Sequence, residues 1–230
     1  MRYIQKGAEP KALGLFTAAL RRGNNLDCDL YGTYMDRLTR DAIIKACLIE
    51  QQGLCAYTGM TAATGNSHVE HLVPRSSSYP SDLPDGFIPR PFETIEWTNL
   101  VACIPMNPSG WPYGAGKKDK WPPDAERHLF ISPVHPSCET KFLYGKLGSI
   151  RPANEADEAA TKTIEHLGLD HDWLNDSRKA VLEVDRRIKD PAKRRRLIAE
   201  LADRTTPQAR EYAFQRWQVL KREWAWSLRT

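Results

Sequence analysis

The 230-residue chain has no run of ~18 consecutive apolar residues, the minimum for a helix that crosses a membrane, so no membrane contact is expected. Its opening residues, MRYIQKGAEPKALGLF, lack the apolar stretch and small-residue cleavage site of a signal peptide, and the expected location is the cytoplasm. Cysteine is scarce and odd in number: Cys28, Cys47, Cys55, Cys103 and Cys138. An odd count in a chain expected inside the cell argues against a disulfide framework and leaves free thiols or remnants of a metal site. No internal repeat is visible, which argues against a solenoid. No base-reading motif is visible either, so a choice between DNA and RNA cannot be read from the residues.

What is present suits a globular protein. The chain is 41% hydrophobic, enough for a packed core, and its length fits one large domain or two small ones. The net charge of +4 is uneven. From Arg178 to Thr230, 15 Lys and Arg stand against 7 Asp and Glu, giving +8, so the first 177 residues carry −4. A basic C-terminal region can follow phosphates, meet an acidic partner, or form a solvated helical surface.

Residues 1–16 read as an irregular arm with a turn at Pro10. The pattern over 39–52 predicts a helix: Thr39 as N-cap, Asp41 in the first turn, Ile43, Ile44, Cys47 and Leu48 at helical spacing, and Gly53 at C′. Residues 54–59 read as a turn. Ser67–Val73 reads as a strand closed by Pro74, and Trp97–Ile104 as a second strand. Between them, 75–96 is loop-like, with Pro80, Pro84, Pro89 and Pro91, and 105–128 is again irregular. The last third predicts helices. One is capped by Asp176 or Ser177, with Val181, Val184 and Ile188 on one face. Others start at Asp190-Pro191 and Thr206-Pro207. Behind the last, Phe214, Trp217, Leu220, Trp224 and Leu228 form a stripe suited to a core or an interface.

The segment His68-Val69-Glu70-His71-Leu72-Val73-Pro74 carries the chemistry. Hydrolysing a phosphodiester needs a base to activate water, a cation to stabilise the crowded phosphorane, and something to hold both. His71 titrates near neutrality and can be the base. Glu70 is a hard oxygen ligand for a divalent ion. Neighbours on a straight strand face opposite ways, so both serve one site only where the strand ends and bends, as Pro74 suggests. Asn99 donates and accepts at once and can pin the loop that carries the base. Asn107, eight positions on, falls near the expected start of a metal-bearing helix. Arg75, Lys117 and Lys118 are candidate phosphate contacts.

Taken together, His-x-Glu-His-x-x-Pro, a loop, Asn-Leu-x-x-Cys and a Lys-rich turn resemble the HNH nucleases of Septu-type antiphage systems, which also occur beside retrons. The similarity extends to Met1-Arg2-Tyr3-Ile4 with Glu9-Pro10, to Gln52-Gly53-Leu54-Cys55-Ala56-Tyr57, and to Trp97-Thr98-Asn99-Leu100. It continues through Lys117-Lys118-Asp119, Ile131-Ser132-Pro133 with Cys138, Thr163-Ile164-Glu165-His166-Leu167-Gly168-Leu169, and Leu174-Asn175 with Arg178-Lys179-Ala180. The resemblance implies a ββα-metal core, a divalent ion (Mg²⁺ or Mn²⁺), an ABC/SMC-like ATPase partner, and a nucleic acid substrate, DNA or RNA. Where a retron accompanies such systems, its reverse transcriptase and RNA–DNA product are further partners.

Two departures stand out. The family's Cys-x-x-Cys is here Cys55-Ala56-Tyr57-Thr58, and Cys103 has only Met106 where a partner thiol belongs, so structural zinc is not expected. The family's third metal ligand falls where this chain has Gly114, Ala115 and Gly116, so Asn107 is assigned in its place.

The expected architecture is α+β. It comprises a helical N-terminal arm at 1–38, an HNH nuclease core at 39–130 and a helical region at 131–230. The expected site comprises His71 as base, Glu70 and Asn107 on the metal, and Asn99 orienting the loop. Two other readings stay open. One is a catalytically degenerate subunit that binds nucleic acid or the ATPase without cutting. The other is a scaffold built around the tryptophan-bearing C-terminal helix.

Overall fold

Pro10 ends an extended arm and starts a helix, α1 (Lys11–Arg22), because its fixed φ suits a helix start and its missing N–H is not needed there. The arm is therefore shorter than the sequence suggests. The structure, a computed structural model, describes residues 1–23, 28–80 and 88–225; Pro84, Trp226 and Leu228 lie outside them. A short helix α2 (Leu30–Tyr34) follows, capped by Asp29. The next, α3 (Arg37–Glu50), begins two residues before the expected start. Its cap is Asp36, whose carboxylate accepts both the N–H (2.9 Å) and the hydroxyl (2.7 Å) of Thr39. Ile43 and Cys47 are buried as the spacing predicts, and Gly53 takes the left-handed φ of +68°.

The first strand is β1 (His68–His71), shorter than expected, and Pro74 leads straight into the single turn α4 (Arg75–Ser78). A 3₁₀ turn at Pro91–Ile95 and another at Trp97–Asn99 precede β2 (Leu100–Cys103), so the second strand starts three residues late. The strands are antiparallel, with His68 opposite Cys103, Glu70 opposite Val101 and His71 opposite Leu100. After them comes one turn of helix, α5 (Ala115–Lys118).

The C-terminal region is not wholly helical. It contains a small antiparallel pair, β3 (Phe142–Tyr144) and β4 (Ile150–Pro152). Then come α6 (Glu158–Leu167), α7 (Asp172–Arg186), α8 (Pro191–Ala202) and α9 (Ala213–Glu223). Asp190 caps α8 as expected, accepting from Ala192 and Lys193 N–H. Two expectations are corrected. First, α7 starts at Asp172 under a His171 cap, and its inward face is Leu174, Arg178, Leu182 and Asp185, while Val184 is 61% exposed. Polar residues on the inward face hid it from an apolar count. Arg178 reaches the carbonyls of Leu169 (2.8 Å) and Gly148 (3.2 Å), and Asp185 grips Arg216 through two 2.7 Å bonds. Second, no helix starts at Thr206-Pro207. Gln52 Nε2 binds the Thr206 carbonyl (2.6 Å), and Ala209 N–H donates to Gln52 O, which docks this segment on the end of α3. Of the two roles its spacing allowed, core or interface, the stripe on α9 takes the core among the described residues. Phe214, Leu220 and Trp224 are buried, and Trp217 stacks on Phe214.

Strand β2 is buried on both sides and divides two apolar clusters. Leu100 and Ala102 face a group with Leu13, Leu30, Tyr31, Ile43 and Ile95. Val101 and Cys103 face a larger group drawn from the C-terminal elements, Cys55 and Tyr57. Directly paired residues share a face. His68 and Glu70 therefore belong to the Cys103 side, and Val69 and His71 to the Leu100 side. The fold is α+β, a helix-rich chain around two small sheets.

Candidate active site

The end of β1 opens onto a cleft of about 360 Å³ whose walls include Tyr31, His68, Glu70, His71, Arg75, Ser76, Ala115 and Asp119. His71 sits on one face of the strand. Its Nε2 lies 2.8 Å from the Thr94 carbonyl, and its ring meets Tyr31 edge-on at 4.6 Å. A carbonyl can only accept, so Nε2 carries the proton and Nδ1 keeps the lone pair of a base. Burial lowers the His71 pKa to about 4, with Arg75 and Lys118 acting in the same direction. The ring is therefore neutral at pH 7.

Glu70 sits on the other face. Burial alone would raise its pKa, but the Lys118 ammonium, 2.9 Å from Oε1, and His68, 3.7 Å from Oε2, hold it at about 2. Tyr57 OH also donates to Oε1 at 3.3 Å. Lys118 is fully buried and makes a second bond, 2.8 Å to the His71 carbonyl, tying α5 to the end of β1. His68 Nδ1 lies 2.5 Å from the Pro105 carbonyl, while its Nε2 is buried with no hydrogen-bond partner.

Asn99 occupies the position its chemistry suits. Its Oδ1 accepts Val73 N–H (2.7 Å), and its Nδ2 donates to the carbonyls of Val73 (3.1 Å) and Glu93 (2.9 Å). One amide thus fixes the bend after His71 to the turn that supplies Thr94. That turn is held by Glu93, whose carboxylate accepts from Ser78, Arg90 and Arg127.

The remaining expected residues fall less simply. Arg75 lines the cleft and pairs with Asp29 at 2.7 Å. Lys117 is exposed. Lys118 does not present its charge to a surface phosphate, since its ammonium is enclosed by Glu70 and His71. Asn107 does not open a helix: it is exposed in a turn, where its Oδ1 accepts Ser109 N–H (3.3 Å). The helix begins at Ala115, and the reason for glycine on either side is steric. Gly114 has φ +66°, and a Cβ on Gly116 would meet Pro108 O at 2.2 Å. Gly114 N–H donates to Leu167 O at the end of α6 (2.7 Å), so the C-terminal region positions α5 and with it Lys118.

Cys55, Thr58 and Cys103 do come together: the Cys55 thiol bonds to Cys103 and Thr58, which against burial brings its pKa to about 6. Met106 is 55% exposed and takes no part in the buried group. Among the described residues, no group of three or more His, Cys, Asp or Glu side chains is arranged to hold a metal. A larger cavity of about 590 Å³, between the N-terminal segment and the start of α9, includes Cys55 in its lining but none of His68, Glu70, His71, Arg75 or Asn99.

Sequence reasoning did not assign roles to Thr94, Tyr57, Tyr31 or Glu93. Thr94 and Glu93 act from a turn with no periodic signal. His68 was visible in the motif, and its two-residue spacing from Glu70 marks a shared strand face.

No family model matches the chain. Among curated proteins, it is similar to one from Vibrio cholerae serotype O1 biovar El Tor named "Retron Vc95 putative HNH endonuclease", with 29% identity over 147 residues. The match covers 61% of this chain and 64% of that protein, so the chain spans less than two thirds of its relative.

Proposed function

We propose that the chain is a metal-dependent HNH endonuclease that cleaves nucleic acid, as the effector subunit of an antiphage system with an ABC/SMC-like ATPase. One observation carries the reading. A neutral imidazole with its tautomer set by Thr94 and an ionised carboxylate, Glu70, line one cleft at the end of one strand. His71 Nδ1 takes the proton from the attacking water. Asn99 keeps the bend in register so that the base stays aimed. Arg75 and Lys117 supply positive charge for the phosphate backbone.

The cleft suits a hard divalent ion, Mg²⁺ or Mn²⁺, in having a carboxylate that stays charged when buried, with Asn107 the second protein donor expected from the sequence. Such an ion would stabilise the negative charge that builds on phosphorus oxygens and on the leaving group. Structural zinc is left out, because Thr58 and Met106 stand where thiolates would be needed. A retron reverse transcriptase and its RNA–DNA product are further proposed partners, supported by the name of the Vibrio relative.

The Lys118–Glu70 ion pair favours a second reading, in which the ammonium replaces the metal and the chain binds nucleic acid or the ATPase without cutting. The deciding experiment is to purify the chain with its genomic neighbour and assay DNA, tRNA and total RNA, with and without Mg²⁺, Mn²⁺ and ATP. Metal-dependent cleavage lost in His71→Ala supports the nuclease. Cleavage unchanged in that variant, or absent throughout, sinks it.

A further inference from the structure

The face of β1 that carries Glu70 also carries a buried imidazole nitrogen that makes no hydrogen bond and has that carboxylate 3.7 Å away. His68 Nδ1 lies 2.5 Å from the Pro105 carbonyl, which accepts and cannot donate, so Nδ1 bears a proton. Nε2 is buried with no hydrogen-bond partner, and a bound metal ion would replace whatever proton the Glu70 carboxylate draws onto it. Nε2 faces Glu70 Oε2 at 3.7 Å, beyond hydrogen-bond length. Metal-bound histidines show this pattern: the outer nitrogen donates to a backbone carbonyl, which fixes the ring and leaves the inner nitrogen free to bind. Two donors 3.7 Å apart also lie within the span of one ion held at ~2.0–2.2 Å from each. Both residues line the cleft.

We propose that His68 Nε2 and Glu70 Oε2 together bind one divalent ion, with His68 taking the position the sequence assigned to Asn107. This rests on the nuclease reading of the same cleft and narrows its metal. Imidazole with carboxylate suits a first-row transition ion such as Mn²⁺ better than Mg²⁺, which prefers oxygen donors. Asn107 is exposed, and its amide oxygen already accepts a backbone N–H from its own turn. Lys118 holds the other oxygen of Glu70, Oε1, so the ammonium and the ion use different oxygens of one carboxylate. With two protein donors, the remaining positions fall to water and to substrate phosphate oxygen.

The test is Mn²⁺ binding by the full chain, followed by titration calorimetry and by pulsed electron paramagnetic resonance, which detects ¹⁴N of a directly bound imidazole. The wild type is expected to bind Mn²⁺ with an imidazole ¹⁴N coupling that survives in His71→Ala. His68→Gln is expected to lose the coupling and bind at least about tenfold more weakly. His68→Asp, which offers oxygen, is expected to recover binding without the nitrogen signal, so a destabilised His68→Gln chain does not close the question. Asn107→Ala separates the two assignments: unchanged Mn²⁺ binding supports His68 in that position, and lost binding with an unaltered His68 overturns it.

If Glu70→Gln loses Mn²⁺ while His68→Gln binds as tightly as wild type, the His68 assignment is overturned and the nuclease reading stands. A coupling that persists in His68→Gln overturns it equally. Wild-type chain that takes up no Mn²⁺ at all removes both.

Discussion

The carbonyl oxygen of Thr94 lies 2.8 Å from Nε2 of His71, so a turn more than twenty residues away decides which nitrogen of the base carries the proton. This contact and the burial of the ring fix how the base responds to pH. The His71 pKa is depressed to about 4, against about 6.5 in an unfolded chain. The folded state binds fewer protons in that window. The contribution of His71 to stability is therefore complete above about pH 6.5 and is lost as pH falls toward 4. Cleavage limited by this base is expected to hold level from neutral pH down to about 5 and to fall below it. In His71→Ala the stability slope between pH 4 and 6.5 should flatten and cleavage should fall by ~10²–10⁴. A rate that halves near pH 6.5 would show the ring to be exposed and the assignment wrong.

Glu70 and Lys118 form a buried pair whose members should be costly to remove singly. Lys118→Met leaves a buried carboxylate without its cation, at ~3–5 kcal/mol by urea denaturation. The double variant Glu70→Gln/Lys118→Met is expected to recover much of that loss. A double variant whose loss equals the sum of the two single losses would show that the two charges are not coupled. Lys118→Met should also tighten divalent-ion binding, because the competing positive charge is gone.

Asn99 joins the bend and the turn through three hydrogen bonds, so replacement should affect both stability and rate. Asn99→Ala leaves two buried carbonyls and one N–H without partners and is expected to cost ~1–3 kcal/mol. Asn99→Asp keeps only the acceptor for Val73 N–H and should not restore the rate. Wild-type turnover in either variant would remove Asn99 from the site.

Trp224 and Trp217 should separate by burial. Trp224 is 6% exposed in the larger core, and Trp224→Ala is expected to cost ~3–5 kcal/mol. Trp217 is partly buried, with the Lys221 ammonium 4.6 Å above its ring, and Trp217→Ala should cost less. Thermal melts of both variants check this. A Trp224→Ala chain that melts like wild type but no longer co-purifies with the ATPase would restore the interface reading of the stripe.

Much of this site could be read from residue types alone, because its parts are local. The HVEH segment, the bend at Pro74 and the donor–acceptor character of Asn99 all survive in the structure. The Asp190 cap survives for the same reason: a side chain three residues from its target needs no tertiary knowledge. What could not be read depends on packing. The α7 face was misplaced because Arg178 and Asp185 point inward with partners far along the chain. Lys118 looked like a surface cation until α6 placed it behind Glu70. Thr94 carries no pattern at all, since only its backbone carbonyl matters to His71.

The single hydrogen bond from Gly114 N–H to Leu167 O joins the last turn of α6 to the helix that carries Lys118. Cutting the chain anywhere before Leu167 would therefore remove a strut of the cleft rather than an appendage. A graft that moves residues 39–130 into another host carries β1 and β2 but leaves behind the part that holds Lys118 against Glu70.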